Sequence, residues 1–363
     1  MISSEAQTLH TFFETERYFD KHYNFLEKTS DMKMLRRFIH LECAAGRKMK
    51  TSCDHSHYKR KIIMRISKPG KVRKGLWCLG RKESCIYLLE GGDESLLISG
   101  GISCIVPEVI HQFKEFGINR ERIKKLLILH AHFDHIGIVP FFKRSHSDLN
   151  IYASARAWEI LKMPKAISTI NDFSKELTKR MKMVEACSTY DLDWRDDISG
   201  MIVSEGDKIH LGNMDVQILE TPGHSSCSIS AYVPQIKTLL PSDGGGVPYR
   251  QTIITPGNSN YTKFQQSLEK LKDLDVEYLC ADHYGYVSGE EAKNFISHTI
   301  TLAKDYRTKM EKVYARSKDI NQAAKELTNF FYSGNSDYLL TPEIFKVICR
   351  QMLRHIANEM ERE

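Results

Sequence analysis

Short apolar runs punctuated by glycine turns alternate with stretches of helical periodicity along most of this chain. From Gly75 the runs are β-like: CIYLLE (Cys85 to Glu90), SLLIS (Ser95 to Ser99), KLLIL (Lys125 to Leu129) and NIYAS (Asn150 to Ser154). Turns at Gly91-Gly92 and Gly100-Gly101 and a helical stretch from Pro107 to Phe116 separate them. A polar helical insertion rich in Lys and Met runs from about Ala155 to Tyr190. Strands resume with MIVSE (Met201 to Glu205), KIHLG (Lys208 to Gly212), MDVQILET (Met214 to Thr221), SISAYVP (Ser228 to Pro234) and TLLPSD (Thr238 to Asp243). The stretch Tyr261 to Leu274 has helical amphipathicity, and VEYLCAD (Val276 to Asp282) reads as another strand. After Glu290 the chain is helical throughout, with Phe295, Leu302, Tyr306, Met310 and Val313 on one face and a last helix after Thr341-Pro342-Glu343.

Residues 1 to about 42 also predict helix: Phe12, Phe19, Tyr23 and Leu26 recur at helical spacing, and Thr29 to Asp31 offers a fresh N-cap before Met32 to His40. The pattern predicts an α/β (α+β) protein in three parts: a helical appendage with a basic linker (1–74), a catalytic domain (75–289) and a C-terminal helical region capping the site (290–363).

Composition narrows the class. The chain is 41% hydrophobic and 27% charged, with no apolar run near the ~18 residues a bilayer span needs. The N-terminus interleaves Glu14, Glu16, Asp20 and Lys21 with its aromatics and lacks a secretory core, so a cytoplasmic location is expected. Nine scattered cysteines without Cys-x-x-Cys pairs fit reduced thiols; Cys53 to His57 (CDHSH) reads as solvated loop or as a satellite metal site. A net charge of +6 is mild and argues against a nucleic-acid coat. Between Arg47 and Lys82, however, Lys and Arg cluster with Asp54 the only acid, a basic face or else a rim that grips an anionic small-molecule substrate.

The densest chemistry lies in LLILHAHFDHIGIVP (Leu126 to Pro140), three histidines and an aspartate where an apolar strand ends. Residues two apart in extended chain point the same way, so His130 and His132 can reach one ion from one side. Asp134 and His135, in the following turn, are placed for a second ion, and Gly137 removes a side chain where the next helix must approach. One loop cannot complete two metal sites, so later strand ends must contribute, including a bridging carboxylate. His224 in ETPGHSS, Asp243 in LLPSDGGG and His283 in YLCADHYG each stand at such an end.

This succession resembles the metallo-β-lactamase superfamily over roughly Trp77 to Gly289. The resemblance implies an αββα sandwich of two mixed sheets with flanking helices. Carried over by position, it implies one metal held by His130, His132 and His224, a second by Asp134, His135 and His283, and Asp243 bridging. Antibiotic-hydrolysing members commonly lack the bridging carboxylate, flavodiiron members usually have Glu at the His132 position, and the nuclease branch inserts a large domain between its later ligands. The chain is thus most similar to the glyoxalase II and thioesterase-like branch, with a layout closest to that of quinolone signal response proteins. It departs at Ser99, where many members have an aspartate, and at Ala281, Asp282 and Tyr284, which replace a Pro-Gly-His-Gly pattern; Tyr284 could line the pocket or only pack.

The resemblance implies two divalent ions (Zn, Fe or Mn) whose bridging hydroxide attacks a thioester carbonyl, perhaps of an acyl-CoA, with Asp134 orienting it. A thiolate leaves without a strong general acid, which suits the absence of an acid motif. The alternatives are the same hydrolase chemistry on a lactone or phosphodiester, and a regulatory protein with a retained metal site whose terminal helices bind a protein partner. Cys227, three positions after His224, is a further residue near the ligands.

Overall fold

The computed structural model describes residues 65–336 and 338–361. The expected N-terminal helices and the Cys53 to His57 stretch lie outside the described residues.

The first sheet is laid down in chain order: β1 (Gly70–Arg73), β2 (Leu76–Arg81), β3 (Ser84–Glu90), β4 (Ser95–Ile98), β5 (Ile123–Leu127), β6 (Asn150–Ala153) and β7 (Met201–Ile202). Its first four strands pair antiparallel, while β4 to β7 pair parallel through helical crossovers. Those crossovers carry α1 (Val106–Glu115), α2 (Val139–Ser145), α3 (Ala155–Leu161), α4 (Pro164–Arg180) and α5 (Val184–Cys187). The second sheet draws on β8 (Lys208–Leu211), β9 (Met214–Glu220), β10 (Ile229–Val233) and β11 (Thr238–Leu240), then, past a small hairpin of β12 (Val247–Tyr249) and β13 (Thr252–Ile254) and helix α6 (Tyr261–Leu271), on β14 (Tyr278–Cys280) and β15 (Tyr286–Ser288). Its order is β15-β14-β11-β10-β9-β8, antiparallel except for the β11–β14 pair. Three helices complete the fold: α7 (Glu290–Ser317), α8 (Ile320–Tyr332) and α9 (Pro342–Met360).

The strands read as continuous apolar runs because both faces of each are covered. Along β3, Cys85, Tyr87 and Leu89 face the interior between the two sheets, while Ile86 and Leu88 join the core under α1, α3 and α4. Along β10, Ile229, Ala231 and Val233 face that same interior and Tyr232 joins the core under α6 to α9. The layers therefore run helix, sheet, sheet, helix. Among the described residues no helix is long and apolar enough to cross a membrane.

Most expected elements are present, with shorter strands. The run Lys125 to Leu129 pairs only to Leu127; Ile128 and Leu129 stay buried but leave the ladder on the way to His130. The hairpin of β12 and β13 and the short β15 were not anticipated: at three residues each, with Pro248 inside β12, they carry no alternation to read. Gly137 is needed for a close approach, as expected, but what approaches is the 3₁₀ turn (Ser103–Ile105) leading into α1 and not the helix that follows Gly137; an added Cβ would sit 2.1 Å from Ser103 N.

Candidate metal centre

Four strands deliver the polar residues to one edge of the sandwich. After β5, in the first sheet, the chain turns through a 3₁₀ segment (Phe133–His135) that carries Asp134 and His135 just past His130 and His132. In the second sheet β9, β11 and β14 run in the same direction, and the loops beyond their carboxyl ends carry His224, Asp243 and His283. Gly223 makes the Pro-Gly turn before His224 possible: its φ is 133° and a Cβ there would stand 2.2 Å from Phe264 N at the start of α6.

The structure brings all seven expected residues together. His132 Nδ1 lies 3.1 Å from His130 Nε2 and 3.0 Å from His224 Nε2. His135 Nε2 lies 3.2 Å from His283 Nε2, with Asp134 Oδ2 at 3.8 Å and 3.6 Å from the two. Asp243 stands between the groups: its Oδ2 is 3.4 Å from His224 Nε2 and 3.5 Å from His135 Nε2, and its Oδ1 is 3.7 Å from His283 Nε2.

Hydrogen bonds outside the cage settle what those nitrogens carry. A carbonyl only accepts, so His224 Nδ1 donates to Pro256 O at 2.8 Å and His283 Nδ1 donates to Glu83 O at 2.6 Å. In the neutral ring the inward Nε2 of each is then a bare lone pair. His132 Nδ1 faces two nitrogens at 3.1 and 3.0 Å and can share only one hydrogen with them, so at least one contact sets lone pair against lone pair unless a cation lies among them; nitrogens bound at about 2.0–2.1 Å to one ion stand apart by little more than this. Asp243 Oδ1 is buried without a hydrogen-bond partner, which is costly for a carboxylate and points the same way. The donor set, imidazole and carboxylate without thiolate, suits a divalent transition metal.

The electrostatics agree. Burial pushes the imidazole of His132 down to about 3, and burial followed by neighbouring imidazoles holds His130 well below its ordinary 6.5. Burial also lowers His224. His135 is buried too, but Asp134 and Asp243 outweigh that and hold it well above 6.5. Asp243, against its own burial, is held well below the usual carboxylate range by His135, His283 and His224. The two acids call for positive charge at a spot where three imidazoles refuse a proton, and a metal ion satisfies both demands while displacing the proton on His135.

Behind this cage stands a residue to which sequence reasoning gave no role. Asp282, 2% exposed, accepts from His135 Nδ1 at 2.8 Å, from Ser99 Oγ at 2.9 Å and from Ser242 Oγ at 2.6 Å. The doubt raised by Ser99 about the hydrogen bonding behind the ligands is thus answered by a carboxylate from another strand end; its adjacency to His283 was the available signal. Tyr284 packs: its ring lies 5.1 Å from Tyr249 and 6.3 Å from Tyr338, and its hydroxyl accepts from Leu339 N at 3.3 Å. Cys227 Sγ is occupied by Ala131 N at 3.4 Å and Ser225 Oγ at 3.1 Å, and among the described residues it joins no metal-holding group. Several members of the described basic stretch are tied into the fold, with Arg81 paired to Glu108, Arg73 bonded to Ile236 O and Lys71 over Trp77.

Two mixed sheets face to face, helices on both outer faces and an imidazole–carboxylate cage at the carboxyl ends of four strands define a metal-binding αββα sandwich. The chain belongs to the metallo-beta-lactamase superfamily, whose sequence pattern matches residues 80–283, more than half of its 363 residues. A metallo-beta-lactamase fold-containing protein of Sulfurisphaera tokodaii is 24% identical over 210 residues, 56% of this chain and 73% of the relative. Among solved structures, a metallo-beta-lactamase family protein from Thermus thermophilus superposes with a TM-score of 0.55 at 16% identity, covering 80% of this chain and 95% of its own. The crystal structure of ST1585 from Sulfolobus tokodaii, the same protein as that 24% identical relative, gives 0.50 at 16% identity, covering 78% and 98%. At these identities the likeness to the solved structures is one of fold.

Proposed function

We propose that this chain is a hydrolase that uses two divalent transition-metal ions, zinc, iron or manganese, to cleave a thioester, with acyl-CoA as the candidate substrate class. One observation carries the reading: His130 Nε2, His132 Nδ1 and His224 Nε2 converge within 3.0–3.1 Å beside a second group of Asp134, His135 and His283, with Asp243 between them. Bound there, divalent cations supply a water that ionises near neutral pH and a Lewis acid for the carbonyl oxygen. The chain's own residues do the rest. His130, His132 and His224 hold one ion, Asp134, His135 and His283 the other, and Asp243 is shared. The Asp134 side chain, 14% exposed, can meet a substrate at the mouth of the cage, orient the attacking water and hold its proton. A thiolate with a parent pKa near ~8.5 departs without a strong acid. Burial, then Tyr284 and Asp243, hold the Tyr338 phenol well above its ordinary value, so it stays a neutral hydroxyl over the site.

The thioester preference is supported by layout: a sandwich followed by C-terminal helices resembles that of the glyoxalase II and thioesterase-like branch. The seven described cysteines are all buried and free, which accords with a reducing, cytoplasmic setting.

Elemental analysis of protein isolated without chelators, paired with a panel of chromogenic thioester, lactone and bis-phosphate substrates, tests the proposal. Two transition-metal ions per chain and a thioester preference are expected, with Asp134→Asn lowering turnover by about 10²-fold or more. A preference for the phosphodiester overturns the thioester assignment. Protein that holds no metal and takes none up overturns the hydrolase.

A further inference from the structure

Buried polar groups behind the cage are organised around a single atom, Asp282 Oδ2. It accepts the Nδ1–H of His135 and the hydroxyls of Ser99 and Ser242, at 2.8, 2.9 and 2.6 Å. Because the Ser242 hydrogen goes to the carboxylate, the Ser242 oxygen is left to accept, and 3.2 Å from it stands His130 Nδ1, which must therefore carry the hydrogen. In their neutral forms both His130 and His135 are thereby fixed with Nδ1 protonated and Nε2 bare toward the cage. His224 and His283 obtain the same result from backbone carbonyls.

Incidental packing does not account for this arrangement. Ser99 and Ser242 both hold left-handed backbone, with φ of 67° and 49°, a conformation that strains a non-glycine residue and persists where the surroundings require it. Both are buried, and both aim a hydroxyl at the same oxygen. A carboxylate buried this deeply is tolerated only with strong partners, and here all three fall on Oδ2 while Oδ1 has no hydrogen-bond partner.

We infer that Asp282 is the positioning residue of this centre, orienting His135 directly and His130 through Ser242, and that it does from the second sheet what a carboxylate at position 99 would do from the first. The inference rests on the metal-centre reading proposed above. One buried group thus controls a ligand in each half of the cage, so loss of Asp282 weakens the binding of both ions, whereas loss of Ser242 weakens one.

The test uses the full chain, stripped by chelator and titrated with zinc against a chromophoric competitor, together with nitrogen NMR of the unloaded protein on the alkaline side of its imidazole titrations. Asp282→Ala is expected to weaken both binding steps by about 10–100-fold and to let His130 and His135 populate the Nε2–H tautomer. Ser242→Ala is expected to weaken one step only. Adding Ser99→Asp to Asp282→Ala is expected to regain much of the affinity, since aspartate accepts the left-handed backbone at that position. Wild-type affinities and tautomers in Asp282→Ala overturn the inference. If that variant does not fold, Ser242→Ala decides alone: an equal loss at both steps, or none, overturns it. Failure of the wild type to take up zinc would sink the metal-centre reading instead, and the tautomers of the unloaded protein would still decide the role of Asp282.

Discussion

His132 meets its neighbours through Nδ1, whereas His130 and His224 present Nε2 to it. All three are held as neutral bases, and that has a measurable price in acid. For His132, pushed by burial to about 3, and for the lowered His130 and His224, the unfolded chain takes up a proton near 6.5 that the folded protein refuses. Their stability is intact above 6.5 and lost as pH falls toward the folded values, at up to about 1.4 kcal/mol per pH unit for each group. His135 runs the other way: its stabilisation is present below 6.5 and fades as pH rises through its raised folded value. Below 6.5 the His135 contribution is already complete and does not change, so the metal-free protein should lose stability on acidification from about pH 6.5 to about pH 5, read as a falling urea midpoint in chelator. A flat or rising midpoint would contradict neutral imidazoles in the cage. At this scale the seven cage residues were legible because each sits at a strand end in a recognisable order. Beyond its adjacency to His283, the role of Asp282 was not legible, since its partners His135 and Ser99 lie 147 and 183 residues away and only the pairing of strand ends across the two sheets unites them.

Helix α9 is fastened to α6 and α7 by a polar clamp. Thr262 Oγ1 donates to Glu359 at 2.8 Å, Arg307 Nη2 reaches Glu359 Oε2 at 2.7 Å, and Arg307 Nη1 also donates to Thr262 Oγ1. Burial works against the Glu359 carboxylate, but Thr262 and Arg307 outweigh it and hold the group below its ordinary 4.5. Its contribution is therefore present above 4.5 and lost as pH falls through the lower folded value. Glu359→Gln should cost about 1–3 kcal/mol in chemical denaturation, with zinc uptake unchanged because the clamp lies outside the cage. Elements of this length announce themselves: α9 begins at the Thr341 cap and Pro342 read from the sequence. The hairpin of β12 and β13 does not, because its register depends on Arg250 adopting a φ of 49° at the turn, a conformation nothing in Tyr249-Arg250-Gln251 advertises.

At the scale of the molecule the sequence shows alternation of strands and helices but not which face of a strand meets which layer. Runs such as Leu96-Leu97-Ile98 are apolar throughout, and only the structure assigns Leu96 and Ile98 to the interior between sheets and Leu97 to the core beneath the helices of the first sheet. The C-terminal helices share one core with α6 and the outer face of the second sheet, through residues such as Phe264, Phe295 and Leu353.

One consequence follows from where the cage residues originate. His130 to His135 descend from the first sheet, and His224, Asp243 and His283 from the second. A cation held by both sets would act as a rivet through two plates already joined by side-chain packing and by hydrogen bonds such as Cys85 N–H to Asp282 O and Ile229 N–H to Leu129 O. Loading with zinc should then slow amide hydrogen exchange at the rims of both sheets together, around Leu129 and around Ala281, while leaving α8 untouched; protection confined to one plate would mean that the ion sits on that plate alone.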